Sequence, residues 1–349
     1  MNKNISIQKI IISRTDAIGD VVLTLPLAGA IKKLHSKINI TFLGRKYTKS
    51  IIAHCKFVDE FIDFDEIEQL PETKQIQRFQ QINADAILHI FPNKKIANIA
   101  KEANILLRIG TRNRYYHWFL CNKLLNISRK NSNLHEAQLN LLFTQFLENR
   151  KIYDLSEIPL LYGFQINSET PKDDIFLLIA RNKFNLVLHP KSKGSAKEWG
   201  IDNFNALINL LPKDKFRIFI TGTENESAEI IENIDFASLQ KNDLDIHNLI
   251  GKTSLETLIH FISKCDGLVA ASTGVLHIAA MAGIHTVGLF PPIRPINPTR
   301  WMPIGKNANY FVKPNNQNCK ICSKGNVCEC MQSISPNEIA NFLINVNQN

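Results

Sequence analysis

The stretch VAASTGVLHIAAMAGIHTVGLFPPIRPINPTRW, residues 269–301, joins an apolar strand pattern to a turn of small residues and a short apolar helix. The first N–H groups of such a helix have no partner within it and face whatever lies before the turn. Ser272, Thr273 and Gly274 therefore predict a phosphate-binding turn. His277, about one turn into the helix, can donate a hydrogen bond to the same anion. The alternative is a parallel-sheet turn in which Gly274 only allows close packing.

Strands and helices alternate along the rest of the chain. The first predicted strand is Lys9 to Ser13, and a helix over 21–34 follows, with Pro26 near its start or at a kink. The other predicted strands are 38–43, 58–64, 86–91, 105–109, 185–189, 216–221, 247–250, 268–271 and 286–290. The other predicted helices are 73–82, 94–103, 135–147, 203–211, 224–234, 254–264 and one beginning near Val275. This alternation predicts parallel sheets of the α/β class.

A chain of 349 residues is longer than a typical single core, so we expect two domains. The pattern weakens between Leu155 and Lys172, where prolines and glycine accumulate. The predicted domains are therefore residues 1–165 and 166–349. Ligands of such sheets bind beyond the carboxyl ends of the strands, and a cleft between two domains suits two substrates.

The composition, with 44% hydrophobic and 21% charged residues, is that of a folded protein. The net charge of +9 favours an anionic partner such as a sugar nucleotide, a nucleic acid or an acidic membrane surface. No nucleic-acid-reading motif is present, so we predict no nucleic-acid partner. The apolar run Ile10 to Ile12 is too short for a signal peptide, and histidines, glycines and Pro291 interrupt 268–293. We therefore expect a cytoplasmic protein without a membrane span.

The chain has seven cysteines, which we expect to be reduced in the absence of an export signal. Four of them form the pattern C-x2-C-x5-C-x-C, which has the ligand type of a structural zinc site: Cys319, Cys322, Cys328 and Cys330. The alternative is a compact loop in which the reduced thiols simply pack.

The first strand runs into RTDAIGD, residues 14–20. Asp20 stands at the mouth of the next helix, where a carboxylate can deprotonate a hydroxyl that attacks a sugar anomeric carbon. The alternative is an N-cap aspartate. Asp16 is a competing base, and Arg14 is either a phosphate contact or a salt-bridge partner.

A second loop, HPKSKGSAKEW at residues 189–199, follows a strand and precedes a helix. Its lysines and hydroxyls suit a pyrophosphate, and Lys197 can neutralise charge on a diphosphate leaving group; the alternative is a solvated basic loop. Glu226, early in a later helix, can accept ribose hydroxyls or simply favour the helix dipole. Neither loop is a Walker motif, no G-x-G-x-x-G opens the first helix, and no D-x-D pair stands near the turns. Kinase and dehydrogenase chemistry and metal dependence are therefore not expected.

A basic segment precedes an aromatic run. Its basic residues are Lys94, Lys95, Arg108, Arg112 and Arg114. They can bind acceptor phosphates or lipid head groups, or they can simply be solvated. The run from Tyr115 to Phe119 predicts an aromatic core beneath the first domain, with acceptor lining or membrane contact as the alternatives.

Five segments together resemble glycosyltransferase family 9, the ADP-heptose:lipopolysaccharide heptosyltransferases and their relatives. They are IISRTDAIGDVVLTLP (11–26), HPKSKGSAKEW (189–199), GTENE (222–226), STGVLHIAA (272–280) and GLFPPIRPINPTRW (288–301). The resemblance spans most of the chain and implies the GT-B architecture, an α/β fold of two Rossmann-like domains with parallel sheets facing across a cleft. Residues 1–165 would hold the acceptor and residues 166–349 the nucleotide sugar.

The resemblance also implies roles for single residues. Asp20 would be the general base and Lys197 the phosphate-binding lysine. The implied donor contacts are Ser192, Lys197, Glu226, Ser272, Thr273, Gly274 and His277. The expected acceptor contacts are Arg14, Arg112 and Arg114.

The implied reaction is an inverting, single-step transfer of heptose or a related sugar. The donor would be a nucleoside-diphosphate sugar, ADP-heptose, and the acceptor a lipopolysaccharide core or lipid-linked glycan. No cofactor would be required, and the protein would contact the inner membrane peripherally. Many family members have an aspartate directly before the T-G turn, where this chain has Ser272. The alternatives are a family 9 enzyme that transfers another sugar and a non-catalytic protein that binds a nucleotide sugar.

Overall fold

The computed structural model describes residues 7–130, 132–166, 170–313 and 328–348. They form two compact units, the first ending at Gln165 and the second beginning at Ile166. Each unit is built on a six-stranded sheet in which every pair of neighbouring strands is parallel. Helices connect the strands in both units, so the α/β class is confirmed.

The sheet of the first unit has the strand order β3-β2-β1-β4-β5-β6. Its strands are β1 (Lys9–Ser13), β2 (Asn39–Gly44), β3 (Glu60–Asp63), β4 (Ala86–His89), β5 (Leu107–Thr111) and β6 (Lys123–Leu125). Its α-helices are α1 (Ile18–Val22), α2 (Leu25–Leu34), α3 (Lys49–Ala53), α4 (Phe64–Glu68), α5 (Glu72–Ile82), α6 (Lys94–Glu102), α7 (His117–Leu120) and α8 (Glu136–Leu141). Short 3₁₀ helices span Lys46–Thr48, Leu142–Leu147 and Leu155–Leu161.

The sheet of the second unit has the order β12-β11-β10-β7-β8-β9. Its strands are β7 (Phe184–His189), β8 (Phe216–Ile220), β9 (Ile246–Asn248), β10 (Gly267–Ala271), β11 (His285–Phe290) and β12 (Ala308–Val312). Its α-helices are α9 (Ile201–Leu210), α10 (Ser227–Asn233), α11 (Phe236–Lys241), α12 (Leu255–Ile262), α13 (Gly274–Ala282), α14 (Pro298–Trp301), α15 (Glu329–Gln332) and α16 (Pro336–Val346). The 3₁₀ helices are Asp174–Leu178 and Glu224–Glu226.

Counted within each unit, both sheets have the Rossmann order 3-2-1-4-5-6. The order reverses between β1 and β4 in the first unit and between β7 and β10 in the second. The central strands are mostly apolar, as is usual for parallel sheets with helices on both faces; Ile10, Ile11 and Ile12 of β1 are fully buried. Each reversal leaves a crevice at the carboxyl ends of the strands, which is where ligands of such sheets bind.

One predicted helix is wrong in its extent. Residues 21–34 belong to two helices, α1 and α2, and Pro26 lies in the first turn of the second. A proline there has no N–H to bond to the carbonyl four residues earlier, so one continuous helix cannot form. Several elements were not predicted, among them the three-residue strand β6, the strand β12 and the eleven-residue helix α16. Among the described residues, no helix has both the length and the apolar character needed to cross a bilayer.

Candidate active site

Asp20 lies in the first turn of α1, beyond the carboxyl end of β1. The N-cap of that helix is Ala17, and no side chain caps it. The carboxylate of Asp20 instead accepts a hydrogen bond from Nη2 of Arg14. Asp20 therefore does not have the N-cap role that was the alternative to a base.

Arg14 is almost completely buried, with 3% of its side chain exposed. Its Nε donates to Oδ1 of Asp16 at 2.7 Å. Its Nη1 donates to Oε1 of Glu136 at 3.2 Å and to Oδ1 of Asn140 at 3.4 Å. All three guanidinium nitrogens thus bind protein groups, and two of these groups come from α8, far away in the sequence.

A second arginine completes the cluster. Arg129 donates from Nε to Oε1 of Glu136 at 2.9 Å and from Nη2 to Oδ1 of Asn140 at 2.9 Å. Its Nη2 also lies 3.3 Å from the carbonyl oxygen of Ile90, directly after β4. The loops after β1 and β4, on the two sides of the strand reversal, are therefore tied to the same helix, α8.

Burial raises the pKa of Asp20 to about 6, with the neighbouring carboxylates of Asp16 and Glu136 adding to the shift and the guanidinium groups of Arg14 and Arg129 opposing it. Burial also raises the pKa of Asp16. For Arg14 burial acts to lower the pKa, but the surrounding carboxylates outweigh it and the net pKa is raised. Asp20 is thus a carboxylate whose pKa lies close to neutral pH, as a general base requires.

In the second unit, the loop between β7 and α9 is folded around Glu198. This carboxylate accepts hydrogen bonds from the N–H of Ser192 at 3.1 Å and from its hydroxyl at 3.0 Å. Lys191 donates from Nζ to Glu198 at 2.5 Å and to Glu229 at 2.6 Å. The hydroxyl of Ser192 also lies 2.9 Å from the carbonyl oxygen of Ala196, so this side chain is engaged within the loop.

Glu226 joins two loops. Its carboxylate accepts hydrogen bonds from the N–H and hydroxyl of Thr223, both at 2.8 Å, and from the N–H of Lys193 at 3.1 Å. Burial acts to raise the pKa of Glu226, but these hydrogen bonds and nearby His189 outweigh it and lower the pKa. An ionised Glu226 therefore fixes the loop after β7 to the loop after β8.

Lys197 is buried in the last part of the loop after β7. The loop ends at Trp199, which is fully buried and donates from Nε1 to the carbonyl oxygen of Ile334 at 2.9 Å. The position of Lys197 is thus set by the two residues that follow it: Glu198, which binds Ser192, and Trp199, which is held in the core.

The turn predicted after β10 is formed. Thr273 is the N-cap of α13, and its hydroxyl oxygen accepts from the N–H of Leu276 at 3.4 Å. His277 is buried one turn into the helix, while Ser272 and Gly274 are partly exposed at its mouth. Because β10 and β7 are neighbours, this turn and the loop carrying Lys197 flank the strand reversal of the second sheet.

Arg112 and Arg114 are exposed after β5, two strands away from β1. The aromatic core predicted for the residues that follow is wrong for three of them. Tyr115 is 71% exposed, Trp118 59% and Phe119 74%. Only His117 is fully buried, since its ring fills the space above Gly110, which has no side chain.

Of the four cysteines predicted to bind zinc, Cys319 and Cys322 lie outside the described residues. Cys328 is buried in the apolar core of the second unit beside Met331, and Cys330 packs against that core. This burial favours the alternative in which the thiols pack. The zinc site stays a prediction, which metal analysis of the purified protein would check.

Sequence reasoning did not find Glu136, Asn140, Arg129 or Glu198. A signal was present for the first two: they stand four residues apart on a helix face that is otherwise apolar. A polar pair at that spacing on a buried face indicates partners supplied by another part of the chain.

Comparisons with known proteins agree with this fold. The sequence model of the family described as "Glycosyltransferase family 9 (heptosyltransferase)" matches residues 73–332. Lipooligosaccharide heptosyltransferase 2 of Campylobacter jejuni is 25% identical over 331 residues, covering 94% of this chain and 92% of the relative.

Two solved structures share the fold. ADP-heptose lipopolysaccharide heptosyltransferase II of Escherichia coli superimposes with a TM-score of 0.74 at 17% identity, covering 97% of this chain and 98% of the other. A family 9 glycosyltransferase from Veillonella parvula gives a TM-score of 0.78 at 17% identity, covering 98% and 97%. The α/β fold of two Rossmann-like units is thus the GT-B fold. With three quarters of its length matched by the family's sequence model, this chain belongs to glycosyltransferase family 9 and is a glycosyltransferase.

Proposed function

We propose that this enzyme transfers heptose, with inversion, from a nucleoside-diphosphate sugar to a lipopolysaccharide core acceptor. The relatives named lipooligosaccharide heptosyltransferase 2 and ADP-heptose lipopolysaccharide heptosyltransferase II support ADP-heptose as the donor. The enzyme works in the cytoplasm, in peripheral contact with the inner membrane that carries the acceptor.

The observation that carries this proposal is the partly buried Asp20, held by Arg14, with a pKa raised to about 6. The acceptor hydroxyl gives its proton to the Asp20 carboxylate as its oxygen forms the bond to the anomeric carbon. The bond from that carbon to the diphosphate oxygen breaks in the same step, and its electron pair leaves with the nucleoside diphosphate. Attack from the opposite face inverts the configuration.

The donor side of the proposal rests on the two loops of the second unit. The N–H groups at the start of α13 and the side chains of Thr273 and His277 receive the diphosphate, and Lys197 neutralises its charge. Ser272 and Gly274 are donor contacts at the mouth of the helix. Further donor contacts come from the loop that Ser192 and Glu226 shape. No cofactor is needed in this scheme.

On the acceptor side we assign Arg14 a positioning role, because all of its guanidinium nitrogens bind Asp16, Asp20 and α8. Arg112 and Arg114, which are exposed, are the residues proposed to bind acceptor phosphates.

The test is Asp20→Asn in the purified enzyme, with release of nucleoside diphosphate as the assay. Loss of the base should lower turnover by about 10²–10⁴-fold while donor affinity is retained. Asp16→Asn is the matched control, because Asp16 also binds Arg14, and its effect should be much smaller. Unchanged turnover in Asp20→Asn would reject the base.

Ser272 favours a second candidate, a family 9 transfer of another sugar, because a neutral hydroxyl stands where many family members have a carboxylate. A screen of nucleoside-diphosphate sugars against lipopolysaccharide acceptors truncated at successive sugars separates the two. Transfer from ADP-heptose alone supports the first candidate, and transfer from a different sugar nucleotide alone supports the second.

A further inference from the structure

The turn at residues 112–119, here called the aromatic turn, presents large apolar side chains to solvent. Tyr115, Trp118 and Phe119 are 71%, 59% and 74% exposed. Scattered apolar residues on a surface need no explanation, but three aromatic rings within five residues form a patch. Such a patch indicates a surface that is covered when the protein functions.

The aromatic turn is held firmly at its base. Asn113 donates from its side chain to the carbonyl oxygen of Ile127 at 2.7 Å. The buried ring of His117 accepts from the N–H of Thr111 at 3.0 Å. Nε of Arg108 donates to the carbonyl oxygen of Leu120 at 2.8 Å. The rings are therefore displayed by an anchored turn.

The exposed rings suit the boundary between an apolar and a polar environment. Phe119 has no polar atom, and Nε1 of Trp118 already donates to the carbonyl oxygen of Arg112 at 3.0 Å. What Trp118 offers outward is its hydrocarbon surface. Tyr115 adds a ring with a polar end, and tyrosine and tryptophan with these properties concentrate at the boundary between membrane and water.

The charge around the turn points to an anionic surface. No acidic residue occurs in the sequence between Glu102 and Glu136. The six basic residues in that interval, of which Arg129 is paired with Glu136, are Arg108, Arg112, Arg114, Lys123, Arg129 and Lys130. Arg112 and Arg114 are exposed beside the rings, where they can bind lipid phosphates. A protein partner would not require such a one-sided charge.

We propose that the aromatic turn is the membrane-docking surface of this enzyme, with Tyr115, Trp118 and Phe119 entering the interface of an anionic phospholipid bilayer and Arg112 and Arg114 binding its head groups. Docking would bring the enzyme to a lipid-borne acceptor. This purpose rests on the proposed function, whereas the binding to a bilayer does not. The topology supports that purpose. The turn follows β5 and Asp20 follows β1, at the same edge of one sheet, and these two strands are two strand spacings apart, about 10 Å.

The test is sedimentation of the full chain with vesicles of phosphatidylethanolamine and phosphatidylglycerol, compared with phosphatidylcholine vesicles. The wild type should bind the anionic vesicles more tightly, and added salt should weaken the binding. The double variant Trp118→Ser/Phe119→Ser should bind at least about tenfold more weakly. The matched control, Leu160→Ser/Leu177→Ser, removes side chains that are 82% and 80% exposed elsewhere and should bind like the wild type.

A spectroscopic readout tests the position of one ring. Vesicles should shift the tryptophan emission of the wild type to shorter wavelength. Trp118→Phe should keep the binding but lose most of the shift, because of the two other tryptophans Trp199 is buried in the protein core and Trp301 is partly buried, outside the aromatic turn. A shift that persists in Trp118→Phe would contradict insertion of this ring.

Absence of vesicle binding by the wild type, or equal binding by the Trp118→Ser/Phe119→Ser variant, would overturn the proposal. Self-association that this variant abolishes, without vesicle binding, would overturn it in favour of a protein contact. Circular dichroism and the melting temperature establish that each variant is folded. Transfer to a soluble, deacylated acceptor should be unchanged in the variant, so failure of docking and failure of the proposed reaction are separate results.

Discussion

Arg14 is surrounded by the carboxylates of Asp16, Asp20 and Glu136 and is almost inaccessible to water. Removing one partner from a buried ion pair costs about 3–5 kcal/mol, because the remaining charges stay buried without compensation. An Arg14 variant would therefore report on folding more than on catalysis. Glu136 is the better probe, since glutamine keeps its shape and its oxygen acceptor.

Glu136→Gln removes a negative charge that raises the pKa of Asp20. The pKa of Asp20 should fall, so the midpoint of the acid limb of the pH–rate profile should move below about pH 6. The rate falls below that midpoint because only the ionised carboxylate accepts a proton. The measurement is kcat/KM between about pH 4.5 and pH 8, with Glu102→Gln, an exposed carboxylate, as control. An unmoved limb would show that Glu136 does not act on the base.

His89 is a second buried polar residue at the carboxyl edge of the first sheet, and neither of its ring nitrogens has a hydrogen-bond partner among the described residues. Burial, with smaller effects of His117 and Arg108, lowers its pKa from 6.5 to about 3. Between these values the unfolded chain binds a proton that the folded chain does not. Stability contributed by neutral His89 is therefore lost as the pH falls below about 6.5.

His89→Leu should make the free energy of unfolding less dependent on pH. The slope between about pH 5 and pH 6.5 should decrease by up to about 1.4 kcal/mol per pH unit, the value for one proton. Urea unfolding of both proteins across this range measures the difference. Parallel slopes would mean that His89 takes up its proton over the same pH range in the folded and the unfolded chain.

At the scale of elements, α2 packs against the 3₁₀ helix Leu155–Leu161 with no space between the backbones. A Cβ added at Gly29 would overlap the carbonyl oxygen of Leu161. Gly29→Ala, which in an open helix would stabilise by roughly 0.5–1 kcal/mol, should here destabilise by about 1–3 kcal/mol. The free energy of unfolding in urea gives the sign.

The comparison for this prediction is Gly283→Ala. An added Cβ there meets nothing within 4 Å, but the backbone has a φ of +82°. The cost should be only that of the left-handed conformation, about 1 kcal/mol. A stabilising effect of Gly29→Ala would show that the two helices can separate.

Local pattern was sufficient for most strands because a buried parallel strand is an unbroken apolar run, as in β1 and β10. It also placed Asp20, Lys197 and the Thr273 turn correctly in the segments that follow β1, β7 and β10, although their roles stay predictions. Pattern could not predict the bond between Arg14 and Glu136, which are 122 residues apart. It also misjudged the aromatic turn, because hydrophobicity alone does not show which side of a turn a ring occupies.

At the scale of the whole molecule, each unit has its own apolar core and its own complete sheet. The turn at Thr273 and the loop carrying Lys197 belong wholly to the second unit. A fragment of residues 166–349 should therefore fold alone and bind ADP with nearly the affinity of the full chain. Calorimetric titration measures this, with Lys197→Met in the same fragment as the control that weakens binding. An unfolded fragment would contradict the independence of the units.

The hydrogen bond from Trp199 to the carbonyl oxygen of Ile334 has a consequence for biosynthesis. The first unit can fold while the ribosome is still translating the second, as amino-terminal domains generally do. The second unit cannot, since Met331, Ile339 and Leu343 complete its core and Ile334 holds the end of the loop with Lys197. A nascent chain can therefore complete the first unit early, whereas the second unit, which carries the proposed nucleotide-binding loops, folds only after its segment 328–346 has been synthesised.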